Sequence, residues 1–405
     1  MLNLNESFNC DCGKTHSLDT EILISQGSIL QLNILLKKYY GVARIGIVYD
    51  KAVSETAQKA LEILVKNGFE ISEICYEKLI YPKKADTERL LNLEENVRFF
   101  VGIGSGSIAT VVRYSAFLRG NDYGLIATAP STDSYLDKDC YFNDKVEYCT
   151  NPKFVIADSD IYSKCPEYLV ASGIGAVYNT YLSLFMLEYK KAIYRGKYCM
   201  TVASDVKRVL DNFTKNYEKS NNQLTYLMNT LIKISLARCY LGSLNSSSST
   251  IAYLLSTGNN SRFYGENLFL ATYVLVDLYI SYLEGYCVDT LIPADYIKGL
   301  KLLNLRLGEE YNYSKEKFQE YKEQNITAIG YLIKEYKDDF LKFLKGIDSE
   351  KYAKIFRRCY KDAGFWLGGY IKATDLLSVT SLAGLISENS LYSYMKKTGF
   401  LEEML

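Results

Sequence analysis

The sequence predicts an α/β domain followed by an all-helical domain. Before Pro166, short apolar runs rich in β-branched residues alternate with amphipathic segments, as in a parallel sheet with covering helices. After Pro166 the strand signals almost vanish, and long helical periodicities follow one another. We therefore divide the 405 residues into an α/β domain, 1–164, and an all-α domain, 165–405, linked near residues 158–166.

The α/β domain has four predicted strands. The first, 44–49 (RIGIVY), precedes a helix over 51–67, in which Ala57, Ala60, Leu61 and Leu64 recur with helical spacing before Gly68. The remaining elements are strands at 70–76, 97–103 and 123–128 and a short helix at 87–93. This alternation predicts a sheet of parallel strands.

The second domain has no predicted strands. Its predicted helices cover 169–194, 222–241, 268–286, 315–344 and 349–360. The segments between them are short and no repeat period links them, which argues against a solenoid. The apolar stretch 268–285 is long enough to span a membrane, but Asp277 and Glu284 interrupt it, so we expect a buried central helix.

Composition excludes two classes of partner. Lys plus Arg and Asp plus Glu both total 47, so no net positive field attracts nucleic acid or an anionic membrane. Residues 1–8 have neither a basic region nor an apolar run, and we expect a cytoplasmic protein without a signal peptide. The ten cysteines are mostly isolated in apolar or helical context, which favours reduced thiols over a disulfide framework.

Two features at strand ends could bind a nucleotide. Asp50 follows the first strand, where a carboxylate can accept hydrogen bonds from a ribose or can cap the next helix. The third strand runs into Gly104-Ser105-Gly106-Ser107 and then directly into a helix. Glycines at a helix N-terminus let a pyrophosphate approach the backbone, although such loops also serve as tight turns. Both alternatives remain open for each feature.

A second polar loop, 127–135 (ATAPSTDSY), follows the fourth strand. Thr128, Ser131 and Asp133 place hydroxyls and a carboxylate at the sheet edge that the glycine loop also occupies. Open α/β sheets bind ligands at this edge. A capped turn organised by Pro130 is the alternative, and two polar loops at one edge make it the weaker one.

The N-terminal segment CDCGKTH contains Cys10, Cys12 and His16, which are residue types that bind zinc. Only three candidate ligands are present and the usual second ligand pair is missing, so we favour a β-turn with buried thiols. His16 is the only histidine of the chain. A metal site with two histidines and a histidine proton relay are therefore excluded, and any other acid or base must be Asp, Glu, Lys, Cys or Tyr.

The order of the motifs resembles one known family. FNCDCGKTH, IVYD, GSGSI, TAPSTDSY and FVIADSDIYSKCPEYLVASGIGA follow one another as in the glycerol-1-phosphate dehydrogenases, a branch of the iron-containing alcohol dehydrogenase and dehydroquinate-synthase-like superfamily. The resemblance covers most of the chain. It implies a Rossmann-type nucleotide-binding domain, a helical metal-binding domain, a small phosphorylated polyol as substrate in the cleft between them, and a homodimer.

The resemblance also implies cofactor positions for NAD or NADP. Asp50 falls at the ribose, and Asp133 falls at a substrate-contacting Asp. Asp137 stands where the family has a cofactor-contacting Ser, which adds negative charge near the cofactor. The remaining positions are the glycine loop, Gly104, Ser105, Gly106, Ser107 and Ile108, and the nicotinamide side, Thr128, Ala129, Pro130 and Ser131.

The family's metal ligands, an Asp and two His, are replaced in this sequence. By resemblance, the ligand positions are Ala176, Ser249 and Tyr264, and a substrate-contacting His is Tyr253. The Lys that follows the Asp ligand is Thr180, and the Asp and Lys of the glycine loop's helix are Thr110 and Arg113. We therefore expect no divalent metal at these positions, and metal-dependent dehydrogenase activity that is lost or altered.

Three functions remain open at this point. The first is a catalytically silent relative that keeps the fold, with or without the dinucleotide, and acts as a binding, regulatory or partner subunit. The second is an active oxidoreductase on a phosphorylated polyol that uses Tyr253 or Tyr264 as acid/base without a metal. The third is a lyase or synthase reaction on a phosphorylated compound, with Arg113 and Lys145 as candidate phosphate contacts, and we rank it last.

Overall fold

A computed structural model describes residues 2–41, 43–79, 82–142, 145–242, 244–256, 263–286, 296–307, 326–359, 373–385, 387 and 389–403. The chain divides into two compact units. The first comprises Met1–Gly173 and Cys199–Ser243, and the second comprises Ile174–Tyr198 and Leu244–Leu405. The stretch Cys199–Ser243, which lies in the helical half of the sequence, thus belongs to the unit that contains the sheet. The division at residue 164 stays a prediction.

The first unit is built on a parallel sheet of six strands. Its order is β3-β10-β7-β6-β4-β5, and two antiparallel hairpins, β1-β2 and β8-β9, lie outside it. The strands are β1 Phe8–Asn9, β2 Thr15–His16, β3 Glu21–Ile24, β4 Arg44–Asp50, β5 Glu70–Tyr76, β6 Val97–Gly104, β7 Asp122–Ala127, β8 Asp139–Phe142, β9 Lys145–Tyr148 and β10 Phe154–Ala157. All pairs within the large sheet are parallel, as the sequence pattern predicts.

The four predicted strands correspond to β4, β5, β6 and β7, within one residue at each end. The interior residues of β4, β6 and β7 are almost all buried because helices cover both faces of a parallel sheet, whereas β5, at the edge of the sheet, alternates buried with half-buried or exposed residues. Two strands of the sheet were not predicted. β3 and β10 have four residues each, and a four-residue apolar run carries too little periodicity to identify a strand.

Helices account for most of the remaining chain. In chain order the helices are α1 Leu32–Tyr40, α2 Ser54–Lys66, α3 Glu88–Leu91, α4 Gly106–Arg119, α5 Ser159–Tyr162, α6 Glu167–Tyr194, α7 Met200–Asn216, α8 Gln223–Leu241, α9 Ser247–Ser256, α10 Tyr264–Ser281, α11 Tyr296–Leu307, α12 Ile326–Glu335, α13 Lys337–Lys345, α14 Ser349–Arg358, α15 Ala373–Ala383, α16 Leu391–Lys397 and α17 Phe400–Glu403. No strand occurs after Ala157 in the described part of the chain, as predicted.

The segment expected to link two domains is built into the first unit. Asp158 is fully buried at the end of β10, and its carboxylate accepts hydrogen bonds from the backbone N–H groups of Gly27, at 2.9 Å, and Ile29, at 3.1 Å. It also accepts from Asp160 N at 3.0 Å and so caps α5. A buried carboxylate with three backbone donors fixes this segment to the start of α1 rather than leaving a loose connection.

The second unit consists of helices in its described residues. The predicted helix at 268–286 begins earlier, at Tyr264, because Glu266 accepts from the N–H of Phe263 at 2.8 Å and closes the first turn. It ends in a π-helical turn, Tyr282–Tyr286. The predicted helix at 315–344 is divided into α12 and α13 at Tyr336, and its residues 315–325 lie outside the described residues.

Two helices pass a test of length and apolar composition for crossing a membrane. They are α6 and the stretch Tyr264–Gly285. In α6, 94% of the apolar window is buried inside the protein, and in the second helix the share is 56%. Core helices pass the same test, so these two helices are weak evidence for a membrane.

Candidate functional site

The glycine loop connects β6 to α4 without an intervening segment. β6 ends at Gly104, and α4 begins at Gly106 with Ser105 as its N-cap residue. The Ser105 side chain makes no capping hydrogen bond. The first N–H groups of a helix have no partner within the helix itself. The loop therefore presents a helix N-terminus suited to binding a phosphate group.

The two glycines of this loop serve different purposes. A Cβ added at Gly104 would lie 2.7 Å from Cγ1 of Ile108, which is too close for any real contact. A Cβ added at Gly106 would lie 3.5 Å from Thr132, which is an ordinary van der Waals distance. Packing within the protein thus requires Gly104 but not Gly106. Because the Ile108 side chain is buried against Gly104, only the backbone of Ile108 can serve a phosphate.

The second polar loop, 127–135, lies beside the glycine loop. The N–H of Thr128 donates to the carbonyl of Gly104 at 3.2 Å, which joins the carboxyl ends of β6 and β7. The carbonyl of Ala129 accepts from the N–H of Ser131 at 2.9 Å and from the hydroxyl of Tyr135 at 2.8 Å. The structure thus brings the two predicted loops to one edge of the sheet, where α/β proteins bind ligands.

The turn at Pro130 is packed against the start of α6. A Cβ at Gly173 would lie 2.0 Å from the Pro130 carbonyl oxygen, so only glycine allows this approach. This contact explains the first glycine of the Gly173-Ile174-Gly175 segment by packing. It also holds the Ala129-Pro130-Ser131 turn in one conformation.

Asp133 and Asp137 share one arginine that the sequence did not indicate. Arg238 of α8 places Nη1 3.2 Å from Oδ2 of Asp133 and Nε 3.0 Å from Oδ2 of Asp137. The other oxygen of Asp137 accepts from the Ser235 hydroxyl at 3.2 Å. The negative charge that we expected Asp137 to add near the cofactor is therefore compensated within the protein.

Burial makes Asp137 harder to ionise than an exposed carboxyl group. Only 5% of the residue is exposed, and this burial raises its pKa to about 6 even though Arg238 and Arg113 act to lower it. The protonation of Asp137 consequently changes in a pH range where most carboxylates are fully ionised.

Asp50 caps the turn that follows β4. Its carboxylate accepts from the N–H of Ala52 at 3.1 Å, and its burial raises its pKa. The capping role is therefore present in the structure. It uses one lone pair of Asp50, so it does not prevent the other oxygen from accepting a hydrogen bond from a ribose.

Arg113 has a structural role. It is 1% exposed, and its guanidinium donates to the Ser134 carbonyl at 2.6 Å, the Asp139 carbonyl at 3.1 Å and the Tyr123 hydroxyl at 3.1 Å. These hydrogen bonds hold the segment after the 127–135 loop, and the guanidinium binds protein acceptors. The prediction that Arg113 contacts a phosphate is therefore wrong. The side chain of Lys145, the other candidate, lies outside the described residues.

In the second unit the three predicted metal-ligand positions lie near one another. A Cβ at Gly175 would lie 2.1 Å from the Gly265 carbonyl oxygen, so α6 and the start of α10 are closely packed at these two glycines. Ala176 follows Gly175 directly, and Tyr264 precedes Gly265. The Tyr264 hydroxyl lies 3.4 Å from the Ser249 carbonyl oxygen, which is longer than a strong O–H···O hydrogen bond. The assignment of these three residues to the family's metal-ligand positions stays a prediction.

A buried network of hydroxyls occupies the same part of the second unit. Oδ1 of Asn179 accepts from Ser248 at 2.5 Å, from Ser246 at 2.6 Å and from Thr272 at 3.3 Å. Thr180, at the position of the family's Lys, donates to the Ala176 carbonyl at 2.9 Å. This network was not predicted, because its members come from three helices or the residues before them and each is an ordinary polar residue.

The donor atoms of this region do not fit a divalent metal. Ala176 has no donor, and the hydroxyls of Ser249 and Tyr264 are poor ligands compared with a carboxylate and two imidazoles. Tyr253 is half-buried on α9. Within the described residues, the only group of three or more His, Cys, Asp or Glu side chains with ligand atoms within 4.8 Å of one another contains Cys10, Cys12, His16 and Cys199.

Comparison with known proteins relates this architecture to the alcohol dehydrogenases that contain iron. Residues 23–166 match the family model of iron-containing alcohol dehydrogenase. Similar curated proteins include a glycerol-1-phosphate dehydrogenase [NAD(P)+] from Bacillus licheniformis, 22% identical, and one from Geobacillus thermodenitrificans, also 22% identical. The matches cover 57% and 55% of this chain and 62% and 58% of the two relatives, so the chain spans about three-fifths of the curated relatives that it matches.

Solved structures agree with this match. A glycerol dehydrogenase from Schizosaccharomyces pombe has a TM-score of 0.56 at 15% identity, with coverage of 85% of this chain and 92% of that one. An archaeal Red Sea brine pool alcohol dehydrogenase has a TM-score of 0.58 at 13% identity, with coverage of 95% and 97%. Residues 23–166 of this chain are thus similar to the iron-containing alcohol dehydrogenase family, and the solved structures share the fold of the chain.

The likeness to these solved structures confirms the fold that the motifs predicted. The parallel six-stranded sheet and the helical part that follows it correspond to the fold of the iron-containing alcohol dehydrogenases. The glycine loop lies within the region that matches the family model, whereas Ala176, Ser249 and Tyr264 lie beyond it. The roles of these residues are therefore argued from their surroundings.

Proposed function

We propose that the first unit binds NAD(H) or NADP(H) at its glycine loop and that the metal-dependent dehydrogenase activity of the superfamily is lost or altered. One observation carries the binding proposal: the N-terminus of α4, not capped by its N-cap side chain, follows Gly104-Ser105 beside the 127–135 loop. Helix N-termini bind phosphate through N–H groups and the helix dipole. The relatives named glycerol-1-phosphate dehydrogenase [NAD(P)+] support a dinucleotide as the ligand.

The second half of the proposal rests on the donor set of the second unit. A divalent metal in this superfamily would polarise the substrate hydroxyl, a contribution of several kcal/mol. Losing several kcal/mol of transition-state stabilisation lowers the rate by roughly a thousandfold or more. Ala176, Ser249 and Tyr264 support this loss, since these residues offer no carboxylate and no imidazole.

The residues of the first unit have separate tasks in this proposal. The N–H groups at the start of α4 bind the pyrophosphate, and Asp50 accepts from the ribose with the oxygen that does not cap the turn. Thr128, Ala129, Pro130 and Ser131 line the nicotinamide side, where the Gly173–Pro130 contact holds the loop. Asp133, held by Arg238, contacts a small phosphorylated polyol through its remaining oxygen.

Titration tests the binding proposal. We expect the nicotinamide fluorescence of NADH or NADPH to change on saturable binding to the purified chain. Glycerol 1-phosphate is added in a second titration to measure coupling between the two ligands. Absence of binding by both NADH and NADPH would contradict the proposal, since it would mean that the loop is a turn only.

A second candidate function is a metal-free oxidoreductase. Tyr264 favours it, because this side chain is 41% exposed and its hydroxyl lies 3.4 Å from the Ser249 carbonyl at a former histidine position. In this route a tyrosine, Tyr264 or Tyr253, would accept the proton of the polyol hydroxyl, and a bound nicotinamide would supply the hydride acceptor. Tyr264→Phe would then abolish turnover. Tyr331→Phe, which changes a tyrosine that is 69% exposed, is the matched control.

The proposal includes a homodimer in the cytoplasm. The burial of the apolar window of α6 supports a core helix rather than a membrane helix. Light scattering on the purified chain measures the assembly directly, and a monomeric mass would contradict the dimer.

A further inference from the structure

Four sulfur and nitrogen ligands of the first unit converge at one point. The Sγ atoms of Cys10, Cys12 and Cys199 and a ring nitrogen of His16 all lie within 4.8 Å of one another. Sγ of Cys10 is 3.4 Å from Sγ of Cys199, and Sγ of Cys12 is 3.4 Å from Nε2 of His16. Sequence reasoning found three of these residues and missed Cys199, which is 189 residues from Cys10 in the chain.

A short hairpin arranges the first three ligands. β1 and β2 pair with Phe8 opposite His16 and Asn9 opposite Thr15. In the turn between them, Cys10 N–H donates to the Lys14 carbonyl at 3.0 Å and Gly13 N–H donates to the Cys10 carbonyl at 2.9 Å. Gly13 adopts φ of +81°, a conformation that L side chains rarely take. The turn thereby brings both thiols to the imidazole that ends β2.

The other parts of the first unit complete the site. Cys199 is the N-cap residue of α7 and is buried. The imidazole of His16 lies between two aromatic rings, with its centroid 5.1 Å from that of Phe8 and 5.0 Å from that of Tyr240. These rings fix its orientation so that Nε2 faces the thiols.

We propose that Cys10, Cys12, His16 and Cys199 bind a structural zinc ion. Around Zn²⁺, with Zn–S of about 2.3 Å and Zn–N of about 2.0 Å, tetrahedral ligand atoms lie about 3.5 to 3.8 Å apart. The separations of 3.4 Å and the limit of 4.8 Å match this arrangement with small side-chain adjustments. Three thiolates and one imidazole form a closed ligand set, which is typical of structural rather than catalytic zinc.

Packing alone explains this cluster less well. Cys12 is exposed, so burial of an apolar side chain does not account for its position. A disulfide between Cys10 and Cys199 requires about 2.05 Å between the sulfurs, and the observed 3.4 Å excludes that bond in this conformation. The hairpin has only two residues in each strand, a length that is marginal without a further tie. A zinc ion would tie this hairpin to the start of α7.

The site is distinct from the predicted catalytic metal positions. Its four ligands belong to the first unit, whereas Ala176, Ser249 and Tyr264 belong to the second. A zinc ion at the cysteine cluster is therefore compatible with lost metal-dependent catalysis. The two proposals fail independently, because one concerns metal content and the other concerns turnover.

Metal analysis of the full chain, purified without chelator, tests the proposal. We expect one zinc ion per chain by inductively coupled plasma mass spectrometry, and loss of that ion in Cys199→Ser. Cys165→Ser is the control, because it changes a half-buried cysteine outside the cluster, and we expect it to retain the zinc. Replacement of zinc by Co²⁺ gives the visible absorption of tetrahedral cobalt and a thiolate-to-cobalt charge-transfer band in the unmodified chain and in Cys165→Ser.

Each other outcome overturns the proposal. A zinc-free chain that takes up neither Zn²⁺ nor Co²⁺ while its thiols are reduced would show that the cluster is packing. A Cys10–Cys199 disulfide, detected by peptide mapping without reductant, would assign the pair to redox chemistry. Equal zinc content in Cys199→Ser and Cys165→Ser would place the ion elsewhere. Because the metal content of the unmodified chain is decisive, misfolding of a variant does not affect the test.

Discussion

The glycine loop gives a sharp test because its two glycines differ in what surrounds them. Gly106→Ala adds a methyl group 3.5 Å from Thr132, a distance that the protein accommodates. Gly104→Ala adds one 2.7 Å from Ile108, which must shift. If a pyrophosphate approaches the start of α4, the methyl group at Gly106 occupies the space that the ligand needs, while the fold is unaffected.

The expected magnitudes follow from these contacts. Gly106→Ala leaves stability unchanged or raises it by up to about 1 kcal/mol, because alanine restricts the unfolded chain. Gly104→Ala lowers stability by about 1 to 3 kcal/mol through overpacking. A phosphate displaced from one charge-assisted hydrogen bond loses about 1.5 to 3 kcal/mol. Gly106→Ala should therefore weaken NAD(P)H binding by roughly tenfold to 150-fold.

Two assays on the same samples separate binding from folding. Urea unfolding followed by circular dichroism measures stability, and nicotinamide fluorescence measures the dissociation constant. We expect Gly106→Ala to bind NAD(P)H weakly and to fold normally. A Gly106→Ala variant that binds NADH and NADPH as tightly as the parent chain would refute the placement of the pyrophosphate at this loop.

Three further substitutions test the polar groups of the two units. Arg238→Met leaves buried Asp137 without its counter-ion, and urea unfolding should show a loss of stability of about 3 to 5 kcal/mol at pH 7 and a smaller loss at pH 5. Equal losses of stability at the two pH values would argue against the ion pair. Burial raises the pKa of Asp137 to about 6, which is above its value in the unfolded chain. The stability of the parent chain relative to Asp137→Asn should therefore fall as the pH rises from about 4 to about 6 and then level off. Parallel pH profiles of stability for the two proteins would contradict this. Asn179→Leu removes the acceptor of the hydroxyls of Ser246 and Ser248 and should lower the free energy of unfolding by about 2 to 4 kcal/mol. An unchanged unfolding midpoint would show that the network contributes little to stability.

Local pattern was sufficient to predict the centre of the sheet. β4, α2 and β6 have buried apolar faces whose spacing matches their secondary structure, so the residues alone indicate them. β3 and β10 were missed, because a strand of four residues is specified by its neighbours in the sheet rather than by its own periodicity. The hairpin of β1 and β2 is shorter still.

The candidate site was predictable where function depends on the backbone. The glycine loop and the 127–135 loop follow strands directly, and parallel strands bring their carboxyl ends to one edge. Long-range partners carry no such signal. Arg238 is about a hundred residues from Asp133, and Cys199 lies even farther from Cys10. An arginine in an amphipathic helix and a single cysteine look the same in sequence whether or not tertiary structure gives them a partner.

The most direct test of lost metal-dependent catalysis is a rate measurement at saturating cofactor. Reduction of NAD or NADP by glycerol 1-phosphate is followed at the nicotinamide absorbance, before and after addition of Zn²⁺, Ni²⁺ or Fe²⁺. We expect a dinucleotide-bound chain whose turnover is absent, or low and insensitive to added metal. Turnover that rises with a stoichiometric divalent metal, and persists in Cys199→Ser, would contradict it, because a catalytic metal would then bind without the family's ligands.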